Sequence, residues 1–272
     1  MNKGVPDILL IMFMPVLVSA EVSDLDLLGF EAELHGAVEV AYQSQYLWHG
    51  FEVFSEDGAL QISTDLDLFD TGFGVSVIGH RANTSGHEDG ERWDLGAYYQ
   101  DSVFRGEAYA THYRAGWFYY MYPQLSRKQM ALHEFYGHID WPRITGIQGL
   151  VPGYSLIMLT PSYSDSPGVG SNARGFLHIG TLDYTFSVPG FFLSTPEQVF
   201  RSHWEIVFND GVSPLNGNVD HGWSHIQAGI STDIDVGFGI ALTPSVDYKM
   251  SEENSVNQNE GFLVAIGARY DF

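Results

Sequence analysis

The sequence predicts an all-β chain, a transmembrane antiparallel up-and-down β-barrel of about twelve strands. Three observations predict it. At the C-terminal end, Phe262, Val264, Ile266, Ala268, Tyr270 and Phe272 fall on one face of a strand, with Leu263, Ala265, Gly267, Arg269 and Asp271 on the other. An apolar face that runs to a terminal aromatic suits a strand whose outer side meets lipid and whose edge is closed. Connections between candidate strands alternate between short and long. The mean hydropathy of −0.07 is too polar for a bundle of helical spans, but it fits strands that turn every second residue to a polar lumen.

Composition narrows the rest. A net charge of −22 over 272 residues excludes a nucleic-acid partner, because phosphate binding needs clustered Lys and Arg. There are 0 cysteines, so disulfides, thiol catalysis and Cys-based metal sites are excluded. Residues 1–20 read as an export signal, with Lys3 at the positive end, an apolar run from Ile8 to Val18, and Val18-Ser19-Ala20 as the cleavage site. Residues 21–33 read as an acidic periplasmic lead-in, and 34–272 as the barrel.

The two-residue period starts at Leu34. Val38, Val40, Tyr42 and Tyr46 share the outer face of the first strand, and a turn-rich stretch from Trp48 to Gly58 follows. Ile62, Thr64, Leu66 and Leu68 face outward on the second strand, Phe73, Val75 and Val77 on the third, and Trp93, Leu95, Ala97 and Tyr99 on the fourth. The fifth sets Tyr109, Tyr113, Trp117, Tyr119 and Met121 outward, and the sixth Phe135, Ile139 and Trp141. The seventh, Tyr154 to Tyr163, has a weak pattern; the eighth, Phe176 to Phe186, changes parity between Ile179 and Leu182, which predicts a bulge near Gly180. The ninth has Phe200, Trp204, Ile206 and Phe208 outward. Strands ten and eleven meet at Asp235-Val236, and the terminal strand closes the ring. Short turns at Asp70-Thr71-Gly72, Arg105-Gly106 and Asp235-Val236 alternate with longer polar loops at 48–58, 81–91, 123–128, 164–175, 209–222 and 251–260. Pro142 to Gly153 and Val188 to Glu197 are long for the short side. Short periplasmic turns and longer outer loops are the habit of bacterial barrels.

Gly267-x-x-Tyr270-x-Phe272 resembles the C-terminal signature of bacterial outer-membrane barrels, with Ile266 where a polar residue is common. The resemblance implies that Gly267, Tyr270 and Phe272 form an assembly signal read by the barrel-assembly machinery. Ser44-Gln45-Tyr46-Leu47-Trp48-His49-Gly50, followed by Ala59-Leu60-Gln61, resembles an uncharacterised proteobacterial outer-membrane barrel family that opens with Ser-x-Tyr-x-x-Arg-Gly and then Pro-Ala-x-Gln. Here His49 stands for the Arg and Gly58 for the Pro. That family implies a barrel in outer-membrane lipid and no settled activity.

Parity places Asp65, Asp67, Arg114, Glu134, Asp140, Arg201, Glu205, Asp233, Asp247 and Arg269 among the lumen-lining residues. Two readings follow. An acidic lumen can form a narrow passive channel for small polar or cationic solutes. Alternatively, the charges pair across strands and plug a structural or surface-interaction barrel. No cofactor or metal is called for: His133 and His138 have opposite parity, and His221 and His225 sit where a loop becomes a strand. The chain is read as not an enzyme. Ser224-His225 and Ser202-His203 are adjacent and expected to point oppositely, and neither fits a lipid-modifying dyad. Tyr46, Trp48, Tyr99, Trp117, Tyr119, Tyr120, Trp141, Trp204 and Trp223 are expected in interfacial girdles, the alternative being a carbohydrate-binding stripe inside the lumen.

Overall fold

A computed structural model of the chain describes residues 34–125, 131–162, 174–192, 195–213, 219–252 and 259–272. The export signal and the lead-in lie outside the described residues, as do parts of four of the long loops.

The strands are β1 (His35–Gln43), β2 (Leu47–Trp48), β3 (Phe51–Glu52), β4 (Ala59–Asp67), β5 (Phe73–Ala82), β6 (Arg92–Val103), β7 (Thr111–Met121), β8 (Leu132–Asp140), β9 (Leu150–Pro161), β10 (Gly175–Phe192), β11 (Thr195–Asp210), β12 (His221–Thr232), β13 (Ile234–Gly237), β14 (Ile240–Ser251) and β15 (Gly261–Asp271). β2 and β3 form a separate hairpin, and β13 continues β12 past a break at Asp233. The remaining twelve strands form one closed antiparallel barrel. Every strand pairs with its chain neighbour, and β1 closes on β15, with Val38 opposite Tyr270 and Glu39 opposite Arg269. The backbone of Phe272 extends the seam: its N–H donates to Gly36 O and its O accepts from Gly36 N–H, each at 2.9 Å.

Period-two patterning sorts the two faces. Val38, Val40, Tyr42, Ile62, Trp93, Leu95, Phe135, Trp204, Ile206, Val264 and Ile266 are all exposed on the outside. An apolar belt of that extent is stable only against lipid. One rim, the turn end, carries Phe272 and the connections 68–72, 104–110, 141–149 and 238–239. The opposite rim, the loop end, carries the longer connections, beginning with 44–58.

Several sequence expectations are corrected. β10 has no bulge near Gly180; its pairing with β9 and β11 is regular through Leu177, Ile179 and Thr181. Leu177 and Ile179 are apolar residues that face inward, at 0% and 9% exposure, which is why parity seemed to change. The long turn expected at Val188 to Glu197 is instead largely β-hairpin, since β10 and β11 run on past the ends of β9 and β12. β12 and β14 are joined at Phe238-Gly239 rather than at Asp235-Val236.

Candidate functional site: the barrel interior

The interior is organised by the first long loop, which folds inward. Tyr46, Trp48, Phe51 and Phe54 are 4%, 7%, 1% and 0% exposed, so Tyr46 and Trp48 belong to neither the lipid face nor a girdle. Four large rings in a polar loop would cost about 1.5–3 kcal/mol each to leave in water, and burial removes that cost. The hairpin turns at His49-Gly50, where φ is +51° and +83°. Positive φ at both central positions is the type I′ pattern that tight hairpins prefer. Its rings pack on inward residues of the loop-end half of the wall: Ala59, Ala82, Tyr120, Leu132, Ile157, Leu159, Leu177, Ile179 and Val207. This side of the loop-end lumen is therefore filled by an apolar core.

A polar network fixes the plug to the wall of β5 to β8. Arg92, 2% exposed, lies 4.5 Å from the Trp48 ring centroid and 4.5 Å from that of Tyr120. It donates to Tyr46 Oη at 2.9 Å and pairs with Asp94 at 2.8 Å. Asp94 also meets His80 Nε2 at 2.7 Å. Tyr120 Oη donates to Glu134 at 2.6 Å, and His49 Nε2 reaches the same carboxylate oxygen at 2.7 Å. A buried guanidinium survives here because a carboxylate, a phenol and two ring faces replace its water.

Across the lumen, a bulge between β11 and β12 follows Val207, so that Val207 pairs with His225 and Phe208 with Trp223. Ser224 and His225 are both 2% exposed, with Ser224 Oγ 3.1 Å from His225 Nδ1. The expectation that these neighbours point oppositely is corrected: the extra residue of the bulge turns both into the interior. His225 Nε2 lies 3.3 Å from Glu205, and the other ring edge is covered by Gly50. The Ser/His pair therefore sits sealed beneath the plug and away from the lipid-facing rim.

The ten residues picked from parity do not converge on one point. Asp65 and Asp67 accept from Tyr98 Oη at 2.6 and 2.9 Å. Arg114 lies 3.5 Å over the Tyr98 ring and 3.4 Å from Asp65. Asp140 is near His112 at 3.2 Å and His138 at 3.6 Å. Arg201 forms a two-pronged pair with Asp233 at 2.6 and 2.7 Å by the turn end, and Arg269 pairs with Asp271 at 2.7 Å. Glu134 belongs to the plug network, and Glu205 to the His225 group. Asp247 accepts from Gln227 Nε2 at 3.3 Å, with its carboxylate lying over Gly229, where a Cβ would collide with it. Arg92 and the four plug rings were missed from sequence. The available signal was the unusual number of aromatics between Gln45 and Ser55, and the parity that pairs Arg92 with Asp94.

A cavity of about 320 Å³ remains between the plug and the far wall. His49 and Gly50 of the plug line it, together with Gln43, Glu205, Gln227, Ser245 and Asp247 of the wall. Among the described residues, no group of three or more His, Cys, Asp or Glu side chains is placed to hold a metal ion.

No family model matches the chain, and no curated protein matches it. Solved structures do. The NanC porin is similar with a TM-score of 0.52 and 11% identity, over 87% of this chain and 100% of that one. The KdgM porin is similar with a TM-score of 0.51 and 11% identity, over 87% of this chain and 99% of that one. At this identity the likeness is one of fold, an outer-membrane β-barrel.

Proposed function

We propose that this chain is a passive outer-membrane channel for small polar or cationic solutes, narrowed by its own first loop. The observation that carries this reading is the cavity beside the plug. Its lining includes the carboxylates of Glu205 and Asp247 and contains no Lys or Arg. In a narrow passage with low-dielectric walls, even one or two carboxylates raise the local cation concentration and repel anions. Twelve strands lie between the roughly 8 that side chains fill and the 16–18 of open porins, so partial filling by a loop fits this size. The two similar solved folds are both named porins, which supports the same reading. Export by residues 1–20, insertion directed by Gly267, Tyr270 and Phe272, and a lipid-facing belt complete the proposal.

Planar-bilayer recording of the folded protein tests it. The expected result is a small conductance with a reversal potential favouring cations, and a weaker preference in Asp247→Asn. A second reading, a closed structural barrel, is favoured by the Arg92 network and its aromatic core. Absence of conductance from well-folded protein would decide for it.

A further inference from the structure

Below the plug, toward the turn end, the inner wall carries a flat aromatic patch. Phe118 pairs in register with Gly96, and Tyr136 with Gly116. A Cβ on Gly96 would fall 2.5 Å from Phe118 Cε1, and one on Gly116 2.7 Å from the Tyr136 ring. With no side chain beneath them, both rings lie flush against the wall. Their centroids are 5.7 Å apart with 23° between planes. Both remain partly exposed to the lumen, unlike Tyr120. The cavity in front of them, about 400 Å³, is also lined by Arg114, Glu134, His138 and Ser155. Arg114 and His138 also line a second cavity of about 410 Å³, which reaches Gln100 and Asp140 toward the turn end.

We propose that this patch is a subsite for a pyranose ring. The C–H face of the sugar stacks on Phe118 and Tyr136, and its hydroxyls reach Arg114, His138 and Ser155. Arg114 already bonds within the wall to Tyr136 and Asp65, and His138 and Ser155 bond to each other. They keep further N–H groups and lone pairs that a wholly apolar ligand would leave facing it. A simple cation would find Glu134 already held by His49 at 2.7 Å and by Tyr120 at 2.6 Å. A sugar presents an apolar face and a polar rim in the same order as the wall. The inference deepens the channel reading by naming a solute class, and it rests on that reading only for passage of the bound sugar.

The test is calorimetry on the folded full-length protein in micelles, with maltotriose, cellotriose and the open-chain glucitol as probes. Saturable binding of at least one trisaccharide and none of glucitol is expected. Phe118→Leu should weaken binding about tenfold, the scale of a lost aromatic contact. Tyr136→Leu provides a second loss, each variant being checked for folding by its gel shift on heating. Phe135→Leu, the same change on the lipid face, should leave binding unaltered. No saturable binding, equal binding of glucitol, or equal effects of Phe118→Leu and Phe135→Leu would overturn the subsite. Sugar binding without any conductance would keep the subsite and remove the channel reading; conductance without binding would do the reverse.

Discussion

Gly50 lies against the ring of His225, so close that a Cβ at position 50 would fall 2.5 Å from His225 Cε1. Its φ of +83° is also one that side chains rarely adopt. Position 50 is thus held to glycine by its own backbone and by the opposite wall. Gly50→Ala is expected to cost about 1–3 kcal/mol of local stability from backbone strain, with the collision added. The plug should loosen, seen as larger or noisier conductance and a lower urea midpoint in detergent. An unchanged conductance and midpoint would show that the turn does not need this geometry.

Arg92 is the cation that joins the plug to the wall. Arg92→Met removes it and leaves Asp94 buried with His80 alone, a loss of about 3–5 kcal/mol for breaking a buried pair. Arg92→Lys should recover only part of this, because an ammonium cannot lie flat between Trp48 and Tyr120. Unfolding midpoints of the two variants, compared with Asp94→Asn, check the order.

Asp65 and Asp67 are committed to Tyr98, Arg114 and Gln100. Asp65→Asn with Asp67→Asn should therefore cost about 1–3 kcal/mol in lost charge-assisted hydrogen bonds. The change in cation preference should be smaller than in Asp247→Asn. Reversal potentials in a salt gradient, measured for both variants, rank them.

The loop end carries a pH-sensitive tie. Asp57 accepts from Thr84 Oγ1 at 2.8 Å and lies 2.9 Å from His87 Nε2. Hydrogen bonds from Thr84 and His87 hold its carboxyl below the usual carboxylate range. A depressed folded value means that the tie contributes above the unfolded value, about 3.9, and is lost as pH falls through the lower folded one. Exchange of amides in 53–58, corrected for intrinsic rate, should rise on acidification below pH 4. Asp57→Asn should remove that step.

Removing Phe272 deletes both seam hydrogen bonds with Gly36 and the ring that stacks on Tyr270, 6.3 Å away. The yield of folded protein in the outer membrane is expected to fall. The ratio of heat-modifiable to unfolded bands in membrane fractions measures it, and an unchanged ratio would refute an assembly role for this residue.

The sequence by itself determined the barrel. Alternation such as Phe262, Val264 and Ile266 on one face is dictated by the two-residue repeat of a strand, and no distant contact can change which residues share a face. The same pattern placed the turn at 68–72. The tight turn expected at Arg105-Gly106 is instead the longer connection 104–110, the Asp235-Val236 turn lies at 238–239, and 188–197 is largely paired. What the tertiary structure decided was the interior. Tyr46 and Trp48 carry the same residue types as a girdle, and only the closure of the ring shows that the loop bearing them fits inside it. Leu177 and Ile179 looked like a slip in register because their partners, the plug rings, come from more than a hundred residues away. Ser224 and His225 share a side only because the strand opposite them forces a bulge. Local periodicity reports which face a residue is on; what fills the space in front of that face depends on contacts between distant parts of the chain, and these leave no period in the sequence.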